Sequence, residues 1–303
     1  MNMREQGLIE KFHVRRADGR DAPGEKHHGA EYFVLDMTDD PHAIPALLGY
    51  AGSCGRDYPL LAADLRARVA GMVTAASEFV TIPETTLPDG TVVPAFLAGK
   101  YLASRGPGDI PLSVADAAPW VNISYHEACE AAARAGLDMQ RETQALAIAW
   151  DVSQQPENWS GGAVGEGVLR MGLHKGTVHA AQPGSYESPD PEENRWFVLS
   201  NGERICDVAG NAFSWIHDDV QGDENGLVAK GIAANSISLT TAPYGICEKG
   251  MGWRPDGARN WSGRALVRGG CWHSERLAGA FNLDFDWPGR RCDIVAVRCT
   301  KSL

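Results

Sequence analysis

The segment Ala278-Gly-Ala-Phe-Asn-Leu-Asp-Phe-Asp-Trp287 constrains this chain more than any other. Phe281, Leu283 and Phe285 alternate with Asn282, Asp284 and Asp286. Such alternation places the apolar set on one face of a β-strand and the polar set on the other. The flanking segments Ala265-Leu-Val-Arg-Gly-Gly270 and Ile294-Val-Ala-Val-Arg-Cys299 read as buried strands. A well-anchored frame then carries a row of side chains that do no packing. Such a surface suits binding better than chemistry.

A chain of 303 residues can bury one large core or two modest ones. Its net charge of −11 opposes binding to a phosphate backbone or to an anionic membrane surface. No apolar run approaches the ~20 residues of a membrane span. The start, Met1-Asn-Met-Arg-Glu-Gln-Gly7, lacks the apolar core of a signal peptide, so the expectation is synthesis in a bacterial cytoplasm without secretory export. Seven scattered cysteines, never spaced C-x-x-C, read as buried thiols rather than a disulfide framework or zinc knuckle.

Residues 1–72 read as a small N-terminal α/β unit and residues 73–303 as the main domain. In the first, Tyr32–Asp36 is expected as a strand. Asp40-Pro41 opens a helix over Ala43–Cys54, and Tyr58–Val69 has helical spacing. In the second, a strand, an Asp89-Gly90 turn and another strand are followed by two helices. Ser124 and Glu127 form a capping box for the first, which stops at Gly136, and the second covers Glu142–Ser153. Trp159–Asn194, rich in Gly, Pro and Ser, is either an ordered surface excursion or a flap.

Four blocks occur in order: Pro119-Trp-Val-Asn-Ile-Ser-Tyr-His-Glu-Ala128, the helix around Glu142, Cys206-Asp-Val-Ala-Gly-Asn-Ala-Phe-Ser-Trp215, and Val267-Arg-Gly-Gly-Cys-Trp272 with terminal Val297-Arg-Cys299. Together they resemble the formylglycine-generating-enzyme-like (sulfatase-modifying-factor) branch of the C-type lectin fold, over about residues 77–303. The C-terminal stretch resembles, within that branch, the variable region of diversity-generating-retroelement variable proteins, here about 265–299. The resemblance implies an α+β fold of short mixed strands, two main helices and much irregular loop. It implies that Gly210, Asn211, Trp215, Gly269, Gly270, Trp272, Phe281, Leu283 and Arg298 are scaffold, with Ala278, Gly279 and Val295. It implies that His273, Ser274, Glu275, Leu277, Asn282, Asp284, Asp286, Trp287, Arg290, Arg291 and Asp293 form the exposed, diversified ligand-binding set. Two positions depart from the pattern: Ala296-Val297 replaces Gly-Phe, and Arg141 replaces the Thr that opens the second helix.

An oxidase like the parent enzymes is the alternative. Formylglycine-generating enzymes carry a cysteine pair shortly after the Gly-Gly block; here Cys271 is followed only by Cys292. Related sulfoxide synthases need three histidines, including a His-x-x-x-His-type pair on a helix, and the nearest approach to that spacing here is His174 and His179 in a glycine-rich loop. His27, His28 and His42 read as a solvated loop, and Cys271 and Cys292 as bystander thiols. Asp218, Asp219, Asp223 and Glu224 are the one candidate for structural calcium, against an acidic solvated turn. Trp253 and Trp261 stand evenly between core and binding roles, and Trp287 reads as exposed.

The expectation is a non-enzymatic binding protein without cofactor, engaging a protein or glycan on a target cell. The N-terminal unit would attach it to a phage or surface assembly, making it virion-associated, and homo-oligomerisation would add avidity.

Overall fold

The computed structural model describes residues 12–40 and 42–303, so Met1–Gly7 and Pro41 lie outside the described residues. The chain divides into two compact units, Met1–Ala62 and Ala63–Leu303. In the first, α1 runs over Ala43–Cys54. Tyr32–Asp36 is no strand, which corrects the expectation. It pairs with no other segment among the described residues, and Tyr32, Phe33 and Val34 stay exposed. An isolated extended segment leaves its amides to water. His27, His28 and His42 are spread along an open loop and helix start. Helix α2, Pro59–Ala75, straddles the boundary between the units and runs beyond the expected Val69.

The larger unit is built on two four-stranded sheets. Their strands are β1 Phe79–Ile82, β2 Phe96–Gly99, β3 Asp138–Met139, β4 Phe213–Ile216, β5 Ala265–Gly269, β6 Gly279–Asp286, β7 Val295–Val297 and β8 Cys299–Ser302. The first sheet has the order β1-β2-β8-β3, antiparallel throughout, so the chain end is stitched beside its early strands. The second has the order β6-β5-β4-β7, with β7 parallel to β4. Short two-stranded ribbons complete the unit.

Helix α3 (Tyr125–Arg134) begins with the capping box: Glu127 N donates to Ser124 Oγ (3.3 Å) and Ser124 N to Glu127 Oε2 (3.0 Å). It ends before Gly136, whose φ of 66° only glycine adopts cheaply. Helix α4 (Glu142–Ser153) starts at Arg141, which gives no side-chain cap. Asp219 supplies it from another loop, accepting from Thr143 N (2.9 Å) and Thr143 Oγ1 (2.6 Å).

Helix α4 is buried on nearly every side. Leu146, Ile148 and Val152 pack with Val80, Ile82, Phe96 and Phe281. Ala145 packs with Ile216, Leu266 and Leu283. α3 meets the opposite face of the second sheet, where Tyr125 packs edge-on against Trp215 at 6.0 Å and the Trp215 indole donates to Ile123 O (2.9 Å). The Trp159–Asn194 stretch is an ordered excursion. Trp159 is buried and donates to Ser153 O (2.9 Å), while Glu193 accepts from His174 N, Lys175 N, Thr177 Oγ1 and Ser188 Oγ.

Candidate functional site

The frame begins with a break in register. Ala265↔Asp286 through Arg268↔Leu283 pair regularly, and then Gly269 pairs with Gly279, leaving Ala280–Asn282 as a bulge on β6. Arg268 satisfies it. Its Nη1 reaches Phe281 O (3.4 Å) and Asn282 O (3.2 Å), while its Nε donates to Glu142 Oε2 (2.7 Å). Both side chains are buried, at 5% and 0% exposure, so each charge depends on the other. This bracket was not read from the sequence. Its signal was an acid in the first turn of α4 and an arginine before two glycines.

Gly269 and Gly270 then turn the chain at φ 97° and 86°. The loop 206–212 backs that turn: Gly210 N donates to Gly269 O (3.0 Å) and Trp272 N to Asn211 O (3.0 Å). Asn211 is fully buried; it donates to Asp207 Oδ2 (2.8 Å) and accepts from Gln182 N (2.8 Å). Asp207 in turn holds Arg195 through two bonds of 2.8 and 2.7 Å. Arg298, also buried, ties Gly99 O, Cys206 O and Asp207 O together.

The candidate residues fall on two stretches. His273, Ser274, Glu275 and Leu277 occupy the turn between β5 and β6; all but half-buried Ser274 are exposed. The second stretch is the crossover 287–294 from β6 to β7, which bears Trp287, Arg290, Arg291 and Asp293, all exposed. It is fastened by main-chain groups. Pro288 O accepts from Tyr125 N (3.0 Å), Cys292 O from Asn122 N (2.8 Å) and Ile294 O from Phe213 N (2.9 Å). Arg291 forks onto Glu127 (Nε to Oε2, 2.9 Å), and that guanidinium, with Ser124, lowers the Glu127 carboxyl to about 2.

One expectation needs correction. Asn282 is not exposed: it is 2% accessible, and its amide donates to Leu277 O (2.9 Å). The cause is a segment that sequence pattern could not place. Met251–Trp253 lies along the outer edge of β6, accepting from Phe281 N (3.1 Å) and Leu283 N (2.8 Å). Asn282 Oδ1 has no partner among the described residues. The scaffold residue Trp272 is half-buried, lies against His273 (ring centroids 4.2 Å apart), and its indole N–H has no acceptor among the described residues.

Register separates the remaining candidates. Asp284 shares a row with Val267 and Trp215, on the α3 side of the sheet. It is half-buried, and burial pushes its carboxyl above the usual range. Asp286, also half-buried, accepts from Trp287 N (2.7 Å) and pairs with Arg290 (3.4 Å). Phe285 lies in the alternate row with Leu266 and Ile216. Beyond that row Arg264, absent from the candidate set, lies over the rings of Trp287 and Phe285. Trp261 packs at a tilt against Phe285, 4.7 Å away, and Trp253 lies 6.5 Å from Trp261. Trp261 is buried and Trp253 half-buried, and both belong to the hydrophobic cluster that includes Phe285.

No three His, Cys, Asp or Glu side chains among the described residues converge at metal-binding spacing. In the acidic turn, Asp218 is buried and accepts from Val220 N, Gln221 N and Gln221 Nε2. Asp219 caps α4, and Asp223 accepts from Asn225 N and Leu227 N. All seven cysteines are free. Burial raises the Cys271 thiol, which sits 3.1 Å from Ser274 Oγ and 3.5 Å from His273 Nδ1.

No family model matches the chain, and no curated protein does. Solved structures do. The Major Tropism Determinant M1 variant matches at 13% identity and TM-score 0.36, over 72% of this chain and 52% of its own. Treponema denticola variable protein 1 matches at 12% and 0.34, over 76% and 94%. PvdO from Pseudomonas aeruginosa matches at 13% and 0.35, over 74% and 92%. The match thus spans about half the length of the tropism determinant. Variable proteins of the class that the C-terminal motifs resemble are among the structures this chain is similar to. Likeness this shallow carries no weight for function, which rests on the residues described above.

Proposed function

We propose that this chain is a ligand-binding protein, of the host- or receptor-recognition type, that displays replaceable side chains on a C-type-lectin-like frame. One observation carries the reading: the crossover 287–294 is fastened through Pro288 O, Cys292 O and Ile294 O, while Trp287, Arg290, Arg291 and Asp293 face solvent. A segment held by its backbone keeps its course when its side chains change. The turn bearing His273, Glu275 and Leu277 has the same character: Glu275 N donates to His174 O (2.7 Å) and Gly176 N to Trp272 O (2.8 Å).

Recognition would work through Trp287 as a desolvated anchor and the charged neighbours as a complementary rim. The ligand would be a protein or glycan on a target cell. The 1–62 unit would attach the display domain to a phage or cell-surface assembly. The test is simultaneous replacement of Trp287, Arg290, Arg291 and Asp293 in the full chain. The expected outcome is an unchanged cooperative unfolding transition with altered binding to a panel of bacterial cells. Loss of folding on replacement sinks the reading. Copper and iron analysis with a peptide-cysteine oxidation assay addresses the oxidase alternative: stoichiometric metal with turnover would favour it.

A further inference from the structure

Two arginines around the display surface make no ion pair among the described residues, Arg276 in the exposed β5–β6 turn and Arg264, and only Arg264 is half-buried against aromatic rings. Arg290 is paired with Asp286 and Arg291 with Glu127. Arg264 is half-buried, its guanidinium lies over the rings of Trp287 and Phe285, and it joins no ion pair and donates no hydrogen bond among the described residues. Its backbone is fixed on both sides: Arg264 N donates to Trp261 O (2.9 Å) and Val228 N to Arg264 O (2.9 Å). Strand alternation explains why it stays unpaired. Asp284 and Asp286 belong to the rows of Val267 and Ala265, whereas Arg264 keeps company with Phe285 on the other face.

A guanidinium stacked on aromatic rings loses little by being there, and the N–H donors along its edge remain available in one plane. That fork matches a carboxylate and binds it through two parallel bonds. We propose that Arg264, outside the diversified set, receives a carboxylate of a bound protein partner in this chain, with Trp287 supplying adjacent apolar contact. The proposal rests on the display reading and names the chemistry at one point of that surface. A protein side chain is favoured over a small acidic ligand because the stack does not line either described cavity. One, of about 30 Å³, is enclosed around Arg268 and Arg298; the other, of about 480 Å³, opens beside Phe79 and Trp196. Tryptophan and arginine are both enriched among the residues that carry protein–protein binding energy. A singly charged carboxylate is favoured over a phosphate dianion because the chain carries −11 overall.

The test uses the full-length chain labelled with 15N, following the Arg264 Nε–H and Trp287 indole signals. An amidated tetrapeptide with two central glutamates is titrated beside its glutamine counterpart, inorganic phosphate and 3′-sialyllactose. Both signals should shift with the glutamate peptide alone. Arg264→Lys, which keeps the charge and loses the fork, should weaken that binding by about tenfold. Arg204→Ala, on a separate ribbon, should leave it unchanged. Equal shifts with the glutamine peptide, tighter binding of phosphate or sialyllactose, or wild-type affinity in Arg264→Lys would each overturn the assignment. If the peptide fails while the crossover still tolerates replacement, only this inference falls. If crossover replacement unfolds the chain, the display reading falls with it.

Discussion

The β5–β6 bracket and the crossover 287–294 are neighbours in sequence and opposites in construction. In the bracket, side chains do the fastening: Arg268 and Glu142 are buried, and Arg268 bonds the carbonyls of Phe281 and Asn282. In the crossover, the backbone does it, through Pro288 O, Cys292 O and Ile294 O, and the side chains make at most exposed pairs such as Arg291 with Glu127. A protein can rewrite residues freely only where fold and side-chain identity have been separated in this way. The two regions adjoin, since the crossover begins where β6, the partner of β5, ends.

The contrast breaks most sharply at Arg268. Arg268→Ala strands the Glu142 carboxylate in the core and frees two bulge carbonyls, and urea unfolding should show a loss of about 3–5 kcal/mol. A comparable cost in the crossover would erase the distinction. Next comes Gly270→Ala. At φ 86° an added Cβ would also meet Ala278 Cα at 2.7 Å, so a loss of about 2–3 kcal/mol is expected by the same measurement.

What could be read from sequence follows the same division. The capping box at Ser124 and Glu127 and the limits of α4 were legible because local spacing determines them. The Phe281/Leu283/Phe285 alternation located β6, but not the burial of Asn282, which depends on Met251–Trp253 arriving from 30 residues upstream to cover the outer edge. Arg264 escaped notice because it precedes β5, and its stack on Trp287 requires the β5–β6 pairing. Arg141 departs from the family pattern at a helix cap, and Asp219 replaces the missing side chain from 76 residues away.

Within the crossover, Arg291→Ala should cost under about 1 kcal/mol, because the pair with Glu127 is exposed. Its readout is the carboxyl: Glu127, lowered to about 2 by Arg291, should titrate nearer its ordinary range when followed by NMR. The smallest effect is a slope. Burial raises Asp284, so the folded state keeps its proton to higher pH than the unfolded chain does. Stability therefore falls as pH rises from the ordinary Asp range toward the raised value, and the penalty is absent below that window. Asp284→Asn should flatten this part of the stability profile against wild type; an unchanged slope would place Asp284 in water and enlarge the free surface.

The segment Met251–Trp253 has an effect beyond hiding Asn282. By accepting from Phe281 N and Leu283 N it uses up donors that a terminal strand would otherwise offer to any passing chain. Visitors to this side of the molecule are denied generic ladder formation, and whatever docks must be chosen by side chains alone.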